Sequence, residues 1–287
     1  MVRLDHVEGV EVNLGSWEVT EEFVRDYLNA VGDGLPVYFH HGLVPPVALA
    51  ARALGSLLEH LELPPGAIHS LQEIETIRPV PFGQEIIGTA VLGRPKRRAG
   101  MEFITTGFTL EDREGRQSLA AKSTVLVVDP STVSSPRGGK GEHARSGLPA
   151  AKVKENLGGR TLPAVLKTIT QEQLDAYARV SGDLNPLHLD AGFAATTQFG
   201  GIIAHGMLTL AFISEMMAAA FDRAWLETGV LKVRFKGAAY PGDQVQTRGR
   251  VTQDAASSGV RQAACAVGLI NRATGQELIT GTASFRG

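Results

Sequence analysis

The chain has 287 residues, 43% hydrophobic and 20% charged, with 33 glycines. That is the composition of a globular protein, long enough for two domains at roughly 150 residues each. A formal net charge of −2 gives no global attraction to nucleic acid or anionic lipid, so neither is expected as a partner.

The opening segment, "MVRLDHVEGVEVNLGSW", carries no apolar run behind a basic start, so no secretory signal is expected. The one cysteine, Cys265, excludes an internal disulfide framework and suits a reducing cytoplasm. The first predicted helix lies in "TEEFVRDYLNAVGD", Thr20 to Asp33. Its Thr suits an N-cap, and its Gly can end the helix in a left-handed conformation. The turn "GDGLPVY" follows, then "HGLVPPVALAARALGSL", a helix rich in small residues. Such a helix leaves open space beside it or packs closely on a sheet. From Pro130 to Pro163 the periodicity lapses into Gly, Ser, Pro and Lys/Arg without interleaved aromatics, which reads as a solvated linker.

Past the linker the pattern repeats. "TQEQLDAYARVSGD" starts at Thr170 and matches the first helix without gaps at an offset of 150. "GGIIAHGMLTLAFISEM" then matches the small-residue helix, and "KGAAYPGDQV" matches "RPVPFGQEI", both at an offset of 159. One internal duplication accounts for all three matches, with nine extra residues in the second copy after the loop "GDLNPLH". The apolar run Gly206–Phe221 holds 16 residues, including Thr209, Ser214 and Glu215. It is too short and too polar to span a bilayer, and apolar enough all round to be a buried helix of a soluble protein. Strands are expected at Val230–Phe235, Asp243–Thr252, Val260–Asn271 and Glu277–Phe285, joined by turns such as "YPGD" and "RATG". Each copy therefore reads as a helix, a loop, a long apolar helix and an antiparallel sheet. This is an α+β pattern in which a curved sheet wraps one buried helix, the hot dog architecture, here doubled. The expected division is 1–130, a 131–163 linker and 164–287.

The chemistry concentrates in two places. In "GDLNPLH", Pro186 stiffens a loop that holds Asp183 and His188 five residues apart, and Asn185 can lock the turn. A carboxylate and an imidazole can grip one water and tune each other for acid–base work. No nucleophile elbow is present and the histidines lack metal-ligand spacing, so no metal is expected. In "AHGM", Gly206 stands at the start of the buried helix, where backbone N–H groups are open and a side-chain-free residue lets a carbonyl approach. That is an oxyanion hole in outline.

Together, "YARVSGDLNPLHLD" and "AHGM" resemble the MaoC-like family of (R)-specific enoyl-CoA hydratases and 3-hydroxyacyl dehydratases. The resemblance is strong over residues 165–287, and the first half is like the family's degenerate partner domain. It implies an acyl-CoA or acyl-carrier-protein thioester as substrate and no cofactor. The catalytic water sits between Asp183 and His188, and the Gly206 N–H polarises the thioester carbonyl. Asn185 shapes the loop, Ser214 bonds to Asp183, and His205 lies beside the substrate, where a structural role is its other reading. In the first copy Asp33 is kept, but Leu35 replaces Asn185, Tyr38 replaces His188, and Pro46 and Val47 replace His205 and Gly206. One site per chain is therefore expected, in a tandem pseudo-dimer for which association of whole chains is optional. The rivals are a thioesterase using Glu215 as base and a non-catalytic partner subunit.

Other features read as structural. "RPKRR", Arg94 to Arg98, suits a hairpin tip as well as a phosphate contact, and adjacent His40 and His41 would face opposite ways on a strand. Cys265 reads as core, and Tyr177 and its counterpart Tyr27 as a shared packing pair.

Overall fold

The computed structural model describes residues 8–61, 67–98, 101–128, 159–257 and 260–286. In chain order the N-terminal half has β1 (Glu11–Val19), α1 (Glu21–Val31), a short α2 (Val37–His41), α3 (Pro46–His60) and β2 (Ile68–Thr76). It continues with β3 (Gln84–Leu92), β4 (Lys96–Arg98), β5 (Met101–Glu111) and β6 (Gln117–Val128). The C-terminal half has β7 (Leu166–Thr168), α4 (Gln171–Ser181), α5 (Ala191–Thr196), α6 (Gly206–Phe221) and α7 (Arg223–Thr228). Its sheet strands are β8 (Val230–Phe235), β9 (Gln244–Ser257), β10 (Val260–Asn271) and β11 (Glu277–Arg286).

The duplicated signals act as their chemistry dictates. Thr20 Oγ1 accepts from Phe23 N at 3.1 Å and Thr170 Oγ1 from Gln173 N at 3.2 Å, capping α1 and α4. Gly32 and Gly182 end the same helices at φ 67° and 78°, the left-handed region open to glycine. Tyr27 and Tyr177 meet at 6.2 Å between ring centroids, where α1 packs on α4. Each half also opens on a strand, β1 or β7, which the helix-first pattern had not included. β7 has three residues, too few to show a periodicity. Residues 129–158, most of the expected linker, lie outside the described residues. Residues 159–162 run beside β9, with Val251 N donating to Arg160 O and Leu162 N to Gly249 O, each at 2.9 Å.

The strands form one antiparallel sheet in the order β1-β3-β5-β6-β2-β8-β11-β10-β9-β7, with β4 on β5. The two halves join where β2 pairs with β8, from Leu71 opposite Arg234 to Glu75 opposite Val230. Helix α6 packs on β9 and β10, α3 on β1, β2 and β6, and the two helices touch. Nearly every α6 residue from Met207 to Phe221 is buried. The chain thus wraps its sheet around two central helices. No helix among the described residues is long and apolar enough to cross a membrane.

The halves fit most tightly where α3 meets the end of α4. A Cβ on Gly55 would stand 2.0 Å from the Ser181 carbonyl oxygen. That contact is with backbone, so nothing swings aside. Gly55→Ala is expected to destabilise by about 2 kcal/mol net, overpacking outweighing a helix-propensity gain of about 1 kcal/mol. A lowered urea midpoint at unchanged m-value checks it.

Candidate active site

The loop after α4 is built from local hydrogen bonds. Asp183 Oδ1 accepts from Asn185 N at 3.2 Å, and Asn185 Oδ1 accepts from Leu187 N at 3.0 Å, two Asx turns in succession. Pro186 then starts a single 3-10 turn, Pro186–His188, its fixed φ suiting the first helical position. The turn delivers His188, 7% exposed, to the Ile203 carbonyl, with Nδ1 at 2.8 Å from its oxygen. A carbonyl accepts only, so Nδ1 carries the proton and Nε2 keeps the lone pair. Burial lowers the His188 pKa below the ordinary histidine value, against the pull of the Asp183 carboxylate and the Ile203 carbonyl. The imidazole is therefore neutral near pH 7.

His205 N-caps α6 without a side-chain cap bond. Instead its Nε2–H reaches back to the Asp183 carbonyl oxygen at 3.1 Å. Its ring lies 3.9 Å from that of His188 and 5.1 Å from that of Tyr177, centroid to centroid. Fully buried, it is held well below the usual histidine pKa by desolvation first and then by His188. The arrangement makes His205 a neutral wall behind His188. Asp183, His188 and His205 each bring a donor atom within 4.8 Å of the others. The two imidazole planes are tilted by 34° to each other. The span suits a water, which bridges two groups with hydrogen bonds of about 2.8 Å each.

The loop, the start of α6 and the β2–β8 seam enclose a cavity of about 720 Å³. Asp183, Asn185, His188 and Gly206 line it from the C-terminal half. From the N-terminal half come Leu54 and Leu58 of α3, the predicted small-residue helix, together with residues 67–71. The nine-residue extension supplies wall, Phe199 included, whose carbonyl accepts from Tyr240 OH at 3.2 Å.

One expectation is corrected, and one rival reading loses its base. Ser214 does not meet Asp183; its Oγ accepts from Trp225 Nε1 at 3.0 Å, and both residues are buried in the core. Glu215, the base required by a thioesterase, does not line the cavity. It pairs with Lys167 at 2.8 Å, and burial raises its carboxyl to about 7 despite that pairing. His40 and His41 lie in helix α2 rather than on the expected strand; His41 lies 2.5 Å from Asp222, and Cys265 is buried in β10. Lys96 to Arg98 form the hairpin strand β4.

In the N-terminal copy the corresponding gap is filled. Asp33 repeats the Asx turn, accepting from Leu35 N at 2.9 Å, but its other oxygen accepts from Tyr38 OH at 2.6 Å. Tyrosine thus stands where the second copy keeps an open space between carboxylate and imidazole. Pro45 and Pro46 are the N-cap and first residue of α3, the places His205 and Gly206 hold in α6, one residue earlier than the Pro46 and Val47 expected from the offset of 159.

One cavity histidine was not foreseen. His69, on β2, enters from the N-terminal half, its ring 4.7 Å from that of Phe235. A lone histidine near a strand end carries no motif, and its direction depends on strand pairing.

Residues 153–272 match the MaoC like domain. The chain is 30% identical over 183 residues to mouse peroxisomal multifunctional enzyme type 2, a match covering 63% of this chain and 23% of that enzyme. It is 29% identical over 216 residues to Arabidopsis thaliana enoyl-CoA hydratase 2, peroxisomal, covering 71% of this chain and 68% of that protein. Among solved structures, a MaoC-like dehydratase superposes with a TM-score of 0.79 at 20% identity, covering 98% and 99% of the two chains. A Mycobacterium tuberculosis protein described as a double hotdog fold superposes at 0.63 with 14% identity, covering 98% and 96%. The C-terminal half thus carries a match to the MaoC like domain, within a chain whose fold is a double hot dog.

Proposed function

We propose that the chain is a hydro-lyase. It adds water to a trans-2-enoyl thioester to give the (R)-3-hydroxyacyl thioester, or removes it in reverse. The observation that carries this reading is the pairing of an open Asp183/His188 gap with the uncapped start of α6 in one cavity. A water in the gap donates to the carboxylate and to His188 Nε2. Its oxygen adds to C3 as a proton leaves it, and a proton is delivered to C2. The Gly206 N–H takes the charge that develops on the thioester oxygen. The reaction is redox-neutral and needs only these acid–base and hydrogen-bonding groups. Asn185 holds the turn, and His205 backs His188.

The substrate is read as a thioester of coenzyme A or of an acyl carrier protein. Residues 164–287 act as the catalytic domain, 1–130 as its covering partner, and 131–163 as the connection. One site forms per tandem pseudo-dimer.

A spectrophotometric screen of enoyl-CoAs, following loss of the conjugated thioester and the chirality of the product, tests the reading. Release of free thiol without hydration overturns it.

A pH dependence follows from the lowered histidines. Neutral His188 persists below its ordinary range, so kcat/KM is expected to hold until the pH is below about 6.5. Stability moves the same way. Groups with a depressed folded pKa bind protons first in the unfolded chain, so His188 and His205 cost stability as pH falls through the unfolded histidine value. Profiles of kcat/KM and Tm between pH 8 and pH 5 check both limbs.

A further inference from the structure

The proposed reaction gives His188 a task and His205 a place behind it, but leaves His69 idle. Its presence in the cavity is enforced. Along β2 and β6, Gln72 stands opposite Ser123 and Leu71 opposite Thr124, but His69 stands opposite Val125, leaving Ser70 as a bulge. Gln72 faces inward, accepting from Ser123 Oγ at 2.5 Å. Unbroken alternation would put Ser70 on that inner face and turn His69 outward. The extra residue reverses the phase, so His69 shares the inner face with Val125. Bulges beside sites commonly re-aim a side chain in this way.

The re-aimed ring reaches the catalytic centre. A Cβ on Gly206 would lie 3.4 Å from His69 Cβ. His69 Nε2 is buried without a partner, an unfavourable state for a polar atom. A neutral imidazole carries its proton on either nitrogen, and with the proton on Nδ1 the unpartnered Nε2 presents a lone pair. Burial keeps the ring neutral, with a pKa of about 4 despite the Asp183 carboxylate nearby.

A lone pair needs a donor, and an enoyl thioester offers few. Its double bond, carbonyl and sulfur have none. The hydroxyl formed at C3 belongs to Asp183 and His188. The next donor along the chain is the amide N–H two carbons beyond the sulfur, in the pantetheine arm that coenzyme A and acyl carrier proteins share. The exit is also on this side. Leu71 pairs with Arg234, and Arg234 and Lys236 are exposed cations lining the cavity, suited to the phosphate beyond the arm.

We propose that His69 is a specificity-determining residue contributed by the N-terminal half, its Nε2 accepting the substrate amide N–H nearest the sulfur. This rests on the enoyl-thioester reading of the site. His69 then fixes the thioester against Gly206 and exchanges no proton.

The test pairs a residue change with a substrate change. Wild type, His69→Leu and His69→Gln are assayed for hydration of the crotonyl thioester of N-acetylcysteamine and of its analogue with an ester oxygen replacing the amide N–H. Wild type is expected to prefer the amide in kcat/KM by on the order of 10- to 100-fold. His69→Leu removes the preference and leaves Tm unchanged or higher, because an unpartnered polar atom is gone. His69→Gln, which still presents an acceptor, keeps part of the preference. A wild type without preference, or a leucine variant losing both substrates equally, overturns the inference. A wild type hydrating neither these thioesters nor any enoyl-CoA overturns the reaction reading instead.

Discussion

His188→Gln and Asp183→Asn are each expected to lower kcat for enoyl-thioester hydration by about 10³-fold, with the double variant little worse than either single one. General acid–base groups contribute about 10²–10⁴-fold, and groups acting on one water fail together. The substitutions are close to neutral for the loop. Asn at 183 still accepts through Oδ1 from Asn185 N, as Asp183 does at 3.2 Å. Its backbone carbonyl, which accepts from His205 Nε2 at 3.1 Å, is untouched. A normal Tm therefore accompanies the loss.

The N-terminal copy supplies the control within the same molecule. Asp33→Asn replaces a buried carboxylate that accepts from Tyr38 OH at 2.6 Å, weakening a charge-assisted bond. It is expected to cost stability of about 1–2 kcal/mol while leaving kcat unchanged. If both aspartates carried only fold, the two variants would behave alike. If Asp183 and His188 serve the reaction, activity falls at one site and stability at the other.

The pair was legible because the chain displays its own comparison. Asp33 and Asp183 survive in both copies, and the structure gives both the same Asx turn to the residue two positions on. Tyr38 in place of His188 marked the first copy as different, and the structure shows its hydroxyl bonded to Asp33. The buried helix Gly206–Phe221 was legible because its apolar run has no polar face. What failed was side-chain direction. Ser214 lies eight residues beyond Gly206, about 12 Å along the helix and some 80° around it. Trp225 of α7 arrives there from a turn that no local pattern announces. His69 failed for a related reason, since its inward face is set by a bulge defined only against β6. Local chemistry could be read along the chain, whereas facing depended on pairing between segments far apart in sequence.

Gly206 separates its two possible roles under two substitutions. Its φ is not left-handed, so the backbone alone does not require glycine there. Space does. An added Cβ would meet Phe235 ring carbons at 3.2 and 3.3 Å and His69 Cβ at 3.4 Å, so Gly206→Ala presses on two cavity walls but keeps the N–H. An activity loss of about tenfold is expected, with neighbours giving by a few tenths of an ångström. Gly206→Pro adds similar bulk and also removes the donor. It is tolerable to the fold, because the first helical position lacks an intrahelical partner and accepts proline. His205, at φ −56° and ψ 136°, already has the extended backbone that a following proline demands. Pro46 begins α3 in the same way. The N–H is thus what the proline variant lacks and the alanine variant keeps. Loss of one oxyanion donor costs about 10²–10³-fold, so Gly206→Pro is expected to fall that much further in kcat than Gly206→Ala at similar Tm. Equal losses in the two variants would assign Gly206 to packing alone, and the start of α6 would no longer be the place where the carbonyl is held.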